Sequence, residues 1–134
     1  MMLLVDTSVW SLALRRDRPE EHAVVARLRT ALEGGQTVLT TGIVLQELLQ
    51  GVRGPRSRET ILERFAVLPL VVPDRQDHVD AAALHAACRR KGLQVGTIDA
   101  LLAQLCIRHH LTLLTTDRDF VGVARVAPLS LQMD

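Results

Sequence analysis

With 134 residues the chain is long enough for one domain with a real core, and 48% hydrophobic against 23% charged residues is an ordinary globular balance. No apolar run is long enough to span a membrane, and Asp6 interrupts the first one with no basic stretch before it, so neither a transmembrane helix nor a signal peptide is expected. A net charge of +1 excludes a strongly basic nucleic-acid binder, and the scarcity of rings (Trp10, Phe65 and Phe120, with no tyrosine) argues against a sheet that stacks bases on exposed aromatics.

Leu3-Leu4-Val5 is apolar without alternation, the pattern of a strand buried on both faces of a parallel sheet. Asp6 follows it, then the helix-opening hydroxyls of Thr7-Ser8, so Asp6 belongs at the carboxyl end of a central strand. Val9 to Ala13 form a short helix that ends in the polar stretch Arg15 to Pro19. A second helix runs from about Glu20 to Leu32, with Val24, Val25, Leu28 and Leu32 on one face and Gly34-Gly35 after it. Thr37 to Thr40 is a short strand. The next helix, Ile43 to about Val52, buries Val44, Leu48 and Val52. Ser57 is expected to cap a fourth, with Ile61, Leu62, Phe65 and Ala66 inside, and the pair forms a flap projecting from the sheet.

Leu70-Val71-Val72, between prolines, reads as a further strand. Asp74 and Asp77 have the spacing of a capping pair for a helix to about Arg90, whose Ala82, Ala83, Ala86 and Ala87 present a close-packing face. Gly96-Thr97 opens another helix with Ile98, Leu101, Leu102 and Leu105 at core spacing. Leu111 to Leu114 is a strand, Phe120 sits in a short helical turn, and Ala127 to Leu131 adds a weak edge strand. Strands alternating with helices predict an α/β fold, a parallel sheet with helices on both faces. Cys88 and Cys106 have no CxxC spacing and read as reduced core thiols, which suits a cytoplasmic location.

Four acids share one setting. Asp6 and Asp117 follow strands, Glu47 lies in the helix after the second strand, and Asp99 lies in the first turn of the helix opened by Thr97. Each has an ordinary alternative: Asp6 and Asp117 as helix caps, Glu47 as an exposed helix residue, Asp99 as a complement to a positive helix end. Together they point to the strand-end rim, where open α/β sheets bind ligands. Four carboxylates a few ångströms apart do not all stay ionised without a cation, and oxygen-only ligands favour Mg²⁺ or Mn²⁺. Such an ion neutralises charge on a phosphodiester. If the acids share a pocket, neutralising Asp6 as Asn is expected to relieve repulsion in the metal-free chain.

Leu-Val-Asp-Thr-Ser at the start, an acidic helix residue mid-chain, an Asp after Gly-Thr-Ile, and Leu-Leu-Thr-Thr-Asp-Arg-Asp-Phe near the end resemble PIN-domain ribonucleases, most closely the VapC toxins of bacterial toxin–antitoxin pairs. The resemblance covers nearly all of residues 1–134. It implies one three-layer α/β/α domain with a parallel, roughly five-stranded sheet and a helical flap, and an RNA substrate, either transfer or ribosomal. By the same resemblance Asp6, Glu47, Asp99 and Asp117 match metal-binding acids, Asp119 an accessory acid, and Thr115 a polar residue that orients water or metal. It further implies a homodimer and a VapB-like antitoxin, whose tail is expected between the first helix and the flap.

Other readings of the acids fit less well. A receiver domain requires a lysine after a late strand, but the only lysine, Lys91, stands at a helix end. A dehalogenase-type site requires Asp-x-Asp, and Ser8 occupies the second position. His78, His85 and Cys88 are better explained as a helix face than as a zinc site. A non-catalytic binding module on the same scaffold remains the alternative from another class, and four intact acids argue against it. Arg15, Arg16, Arg53, Arg56, Arg58 and Arg118 are candidates for contacts around the rim.

Overall fold

The computed structural model describes residues 2–15 and 22–133; Arg16, the polar stretch to Pro19 and the expected helix start at Glu20 lie outside them. In chain order the elements are β1 (Leu3–Val5), α1 (Thr7–Ala13), α2 (Ala23–Glu33), β2 (Val38–Leu39), α3 (Gly42–Gly51), α4 (Pro55–Phe65), α5 (Arg75–Arg90), α6 (Thr97–His109), β3 (Thr112–Leu114), α7 (Asp119–Val126) and β4 (Ser130–Gln132). The sheet is parallel throughout, in the order β2-β1-β3-β4, with Val5 opposite Leu114 at the carboxyl end. Leu3, Leu4 and Val5 are fully buried, as expected of a central strand covered on both faces. Among the described residues no helix is long and apolar enough to cross a membrane.

The strand expected at Leu70 to Val72 is reduced to one bridge between Thr40 and Leu70, so the sheet has four strands among the described residues rather than five. Leu70 and Val72 are exposed, and Pro69 and Pro73 bracket the segment. Prolines donate nothing to a ladder, so pairing ends after one residue.

Several helix faces also differ in detail. Ala31 is buried in α2 while Leu32 is 46% exposed. Gly54 caps α4 with Pro55 in its first turn, not Ser57, and Leu62 and Ala66 face outward. Pro at the first helical position is already set at a helical φ and has no N–H to satisfy. The inward stripe of α5 is Asp77, Ala81, Leu84 and Cys88, one residue out of phase with the expected alanine face. In the α3–α4 pair Val44, Leu48, Ile61 and Phe65 are buried, and the Phe65 ring lies 4.8 Å from that of Trp10 in α1.

The Asp74–Asp77 pair does form a capping box, each side chain accepting from the other's backbone N–H at 2.9 and 2.8 Å. Arg108, at the far end of α6, closes on it, 2.7 Å from Asp77 Oδ1 and 3.1 Å from Asp74 Oδ2. That contact sets α5 and α6 antiparallel, so the end of α5 and the start of α6 lie on the same side of the fold. Gly92, with φ +77°, makes the reversal that follows α5. Both cysteines are free and buried.

Candidate active site

Asp6 is both the strand-end acid and a helix cap. Its backbone N–H donates to the Leu114 carbonyl, which ties it to the end of β3, and its Oδ1 accepts from the Thr7 backbone N–H at 2.8 Å. Oδ2 accepts from two hydroxyls, Ser8 Oγ at 2.9 Å and Thr115 Oγ1 at 2.8 Å. Three donors on one carboxylate hold it in a single orientation, and it is 7% exposed.

The same two hydroxyls organise the segment after β3. Thr115 Oγ1 accepts from the Asp117 N–H at 3.0 Å, and Ser8 Oγ accepts from the Thr116 N–H at 3.1 Å. Asp117 Oδ1 in turn accepts from the Asp119 N–H at 2.9 Å, opening α7. Thr115 is fully buried, so its hydroxyl is a structural joint between the two strand-end acids. Glu47 is reached from α1: Thr7 Oγ1 donates to Glu47 Oε1 at 2.8 Å across 40 residues of chain.

Asp99 stands in the first turn of α6, where Gly96 supplies no side-chain cap. Its surroundings are the most telling electrostatic feature of the rim. Burial first, then the carboxylates of Asp6, Asp117, Glu47 and Asp119, push its carboxyl from 3.8 up to about 6. The other four predicted acids therefore all bear on Asp99. The nearby Cys106 thiol is no nucleophile, because burial, and after it Asp6, raise its pKa far above neutrality.

The convergence is looser than the sequence suggested. Among the described residues no three Asp, Glu, His or Cys side chains are gathered so as to hold an ion as they stand. The physical reason is visible in the hydrogen bonds: Glu47 is drawn to Thr7, Asp6 to Ser8 and Thr115, and like charges keep apart. The donor set, all carboxylate and hydroxyl oxygen, nevertheless has the chemistry of a hard divalent cation site. His78, His85 and Cys88 likewise form no metal-holding group among the described residues, in keeping with their reading as a helix face. Sequence reasoning passed over Thr7 and Ser8 except as helix openers. Their hydroxyls next to an acid were the available signal, but which acid each would bind depends on β3 and α3 lying beside α1.

Comparison with known proteins places the chain among relatives. The PIN-domain family pattern matches residues 3–126. The ribonuclease VapC11 of Mycobacterium tuberculosis is 32% identical over 130 residues, covering 96% of each chain, and a VapC ribonuclease of Mycobacterium bovis matches equally well. Among solved structures, VapBC2 of Rickettsia felis, crystallised on a promoter DNA fragment, superposes over the whole of both chains with a TM-score of 0.79 at 22% identity. The sarcin–ricin-loop-cleaving toxin VapC20 of Mycobacterium tuberculosis covers 95% of this chain and 98% of its own, with a TM-score of 0.68 at 19% identity. These two structures bear out the fold.

Proposed function

Because the chain belongs to the PIN-domain family, we propose that it is a divalent-metal-dependent endoribonuclease and the toxin of a toxin–antitoxin pair, with residues 1–134 as one domain. The observation that carries this reading is the carboxyl of Asp99, raised to about 6 by burial and by four other acids at once. A scaffold has no use for that repulsion, whereas a site for a cation and a phosphodiester does. Asp6, Glu47, Asp99 and Asp117 would hold Mg²⁺ or Mn²⁺, which when bound supplies Lewis-acid neutralisation of charge on the phosphate.

The chain's own side chains do the positioning. Thr115 donates to Asp6 and accepts from the Asp117 backbone, so one hydroxyl aligns two acids. Ser8 repeats the link one residue earlier in the loop, and Thr7 aims Glu47. Asp119 adds an accessory carboxylate at the edge. Purified protein is expected to cleave structured RNA with Mg²⁺ or Mn²⁺ and to stop in chelator. Asp6→Asn and Asp117→Asn each lower the rate by about a hundredfold or more. Full activity in chelator, or in Asp6→Asn, refutes the reading.

Partner binding follows the same family logic. A groove of about 220 Å³ lies between α1, α2 and α4, lined by Trp10, Leu14, Val25, Leu28, Leu32 and Arg64, and suits the tail of a VapB-like antitoxin. Expression alone is expected to arrest growth in the cytoplasm, with rescue by a small antitoxin gene beside it. The larger apolar groove between α5 and α6, about 510 Å³ and lined by Ile43, Ala81, Ala82, Ile98 and Leu101, is the face suited to a second copy in a homodimer. Solution mass by light scattering checks that state.

A further inference from the structure

Outside the acid rim, the described residues place exposed cations on α7 and at the end of α5. Arg118 and Arg125 stand seven residues apart at and along α7, two helical turns, and so share a face. Both are exposed, and both line a cavity of about 330 Å³ together with Gly92, Leu93, Gln94, Asp119, Val121 and Gly122. The opposite wall lies close: a Cβ on Gly122 would stand 2.9 Å from Leu93 Cδ2, so the Leu93 side chain packs directly over the α7 backbone at this glycine. The same loop leaves the end of α5, where Arg89, Arg90 and Lys91 are exposed in succession.

Five of the chain's sixteen cations thus stand at the end of α5 and at and along α7, two elements that pack together, in a protein whose net charge is only +1. None of the five has a carboxylate partner among the described residues, where the ion pairs of α5 and α6 belong to Arg108. Arg118 adjoins the acids directly, since it lies between Asp117 and Asp119 and Asp119 lines the cavity. Excess cation beside a cluster of anions makes a bipolar surface. A phosphodiester chain suits such a surface: one phosphate lies at the acids with a cation, and its neighbours are drawn to arginine.

We infer that Arg118 and Arg125, with the 92–94 loop as the opposite wall, form a phosphate-binding track that holds the RNA strand beside the scissile bond. Their separation along the helix is about 10 Å, which spans about three stacked nucleotides. The inference rests on the ribonuclease reading and adds to it the direction in which the strand leaves the acids, down α7 toward the end of α5. Arginine suits the task because its planar fork meets two phosphate oxygens at once. The track is sequence-blind: it sets affinity and register and leaves base choice to other contacts.

The test uses the full chain carrying Asp6→Asn, so that RNA stays intact, and a fluorescein-labelled RNA hairpin with a single-stranded loop. Binding is followed by anisotropy from 50 to 300 mM NaCl. Adding Arg118→Gln and Arg125→Gln together is expected to weaken binding about tenfold near 100 mM salt and to reduce the slope of log affinity against log salt by about 1.5, close to two lost phosphate contacts. Arg75→Gln, at the opposite end of α5, leaves both unchanged. In the otherwise wild-type chain the double variant raises KM and leaves kcat within about twofold. Both substituted residues are exposed and glutamine is a good helix former, so circular dichroism is expected to show an unaltered fold. An unchanged affinity and salt slope in the double variant, with the parent binding RNA, overturns the track alone. A parent with no salt-sensitive RNA binding overturns the track and the ribonuclease reading together. Lost affinity for a poly-glutamate peptide with RNA affinity unmoved overturns it in favour of an acidic protein partner.

Discussion

Neutralising Asp99 is the sharpest probe of whether the acids form one site. In the metal-free protein its carboxyl is raised from 3.8 to about 6, chiefly by burial and then by Asp6, Asp117, Glu47 and Asp119. At 1.36 kcal/mol per pH unit this corresponds to about 3 kcal/mol of strain in the ionised form. Asp99 is only half-buried, so solvent screening reduces the figure to about 1.5 kcal/mol. Against it stands the favourable contact of a negative charge with the first turn of α6, about 0.5 kcal/mol. Repulsion wins, and Asp99→Asn is expected to stabilise the chelated protein by about 1 kcal/mol at pH 8, near 3 °C in midpoint.

The sign of the pH dependence follows from the raised value. Between about pH 4 and 6 the folded wild type binds more protons at Asp99 than the unfolded chain, so its stability falls as pH rises through that window. The advantage of the mutant therefore shrinks as pH falls through 6 and vanishes near 4. Millimolar Mg²⁺ stabilises the wild type, because it binds only the folded state, and does much less for the mutant. Urea unfolding of both proteins at pH 5 and pH 8, with chelator and with Mg²⁺, reads all of this. A mutant less stable than wild type at pH 8 in chelator, with equal Mg²⁺ responses, refutes the shared site. Asp6→Asn, the substitution the sequence suggested, is the poorer probe: three hydrogen bonds already hold the Asp6 carboxylate, and Asn sacrifices part of them.

Thr115→Val removes the hydroxyl shared by Asp6 and the Asp117 N–H, and is expected to cost about 2 kcal/mol in urea unfolding and at least about tenfold in RNA cleavage. Trp10→Ala empties the contact with Phe65 and is expected to cost about 3–5 kcal/mol by thermal denaturation. Asp77→Ala abolishes the capping box and frees Arg108, with a loss of about 1–2 kcal/mol; Arg108→Leu lowers the unfolding midpoint as well, because the fully buried Asp77 loses its cation.

Periodicity and caps determined a great deal of this protein. The unbroken apolar run Leu3 to Val5 marked the central strand, Asp74 and Asp77 marked the start of α5, and Gly92 marked its end, since each depends only on residues near in sequence. That Asp6, Thr115 and Asp117 would lie side by side was legible because strand ends in a parallel sheet share a rim, whatever the packing beyond it. Tertiary structure alone decided the rest. Whether Leu70 to Val72 met a neighbouring strand at all depended on what lay beside it, and among the described residues only Thr40 offered a partner before Pro73 ended the pairing. Which hydroxyl served which acid depended on contacts spanning 40 residues for Thr7 with Glu47 and 109 for Thr115 with Asp6. A run of residues states what a side chain is able to bind; long-range packing chooses its partner, and at a distance of 109 residues no local pattern carries that choice.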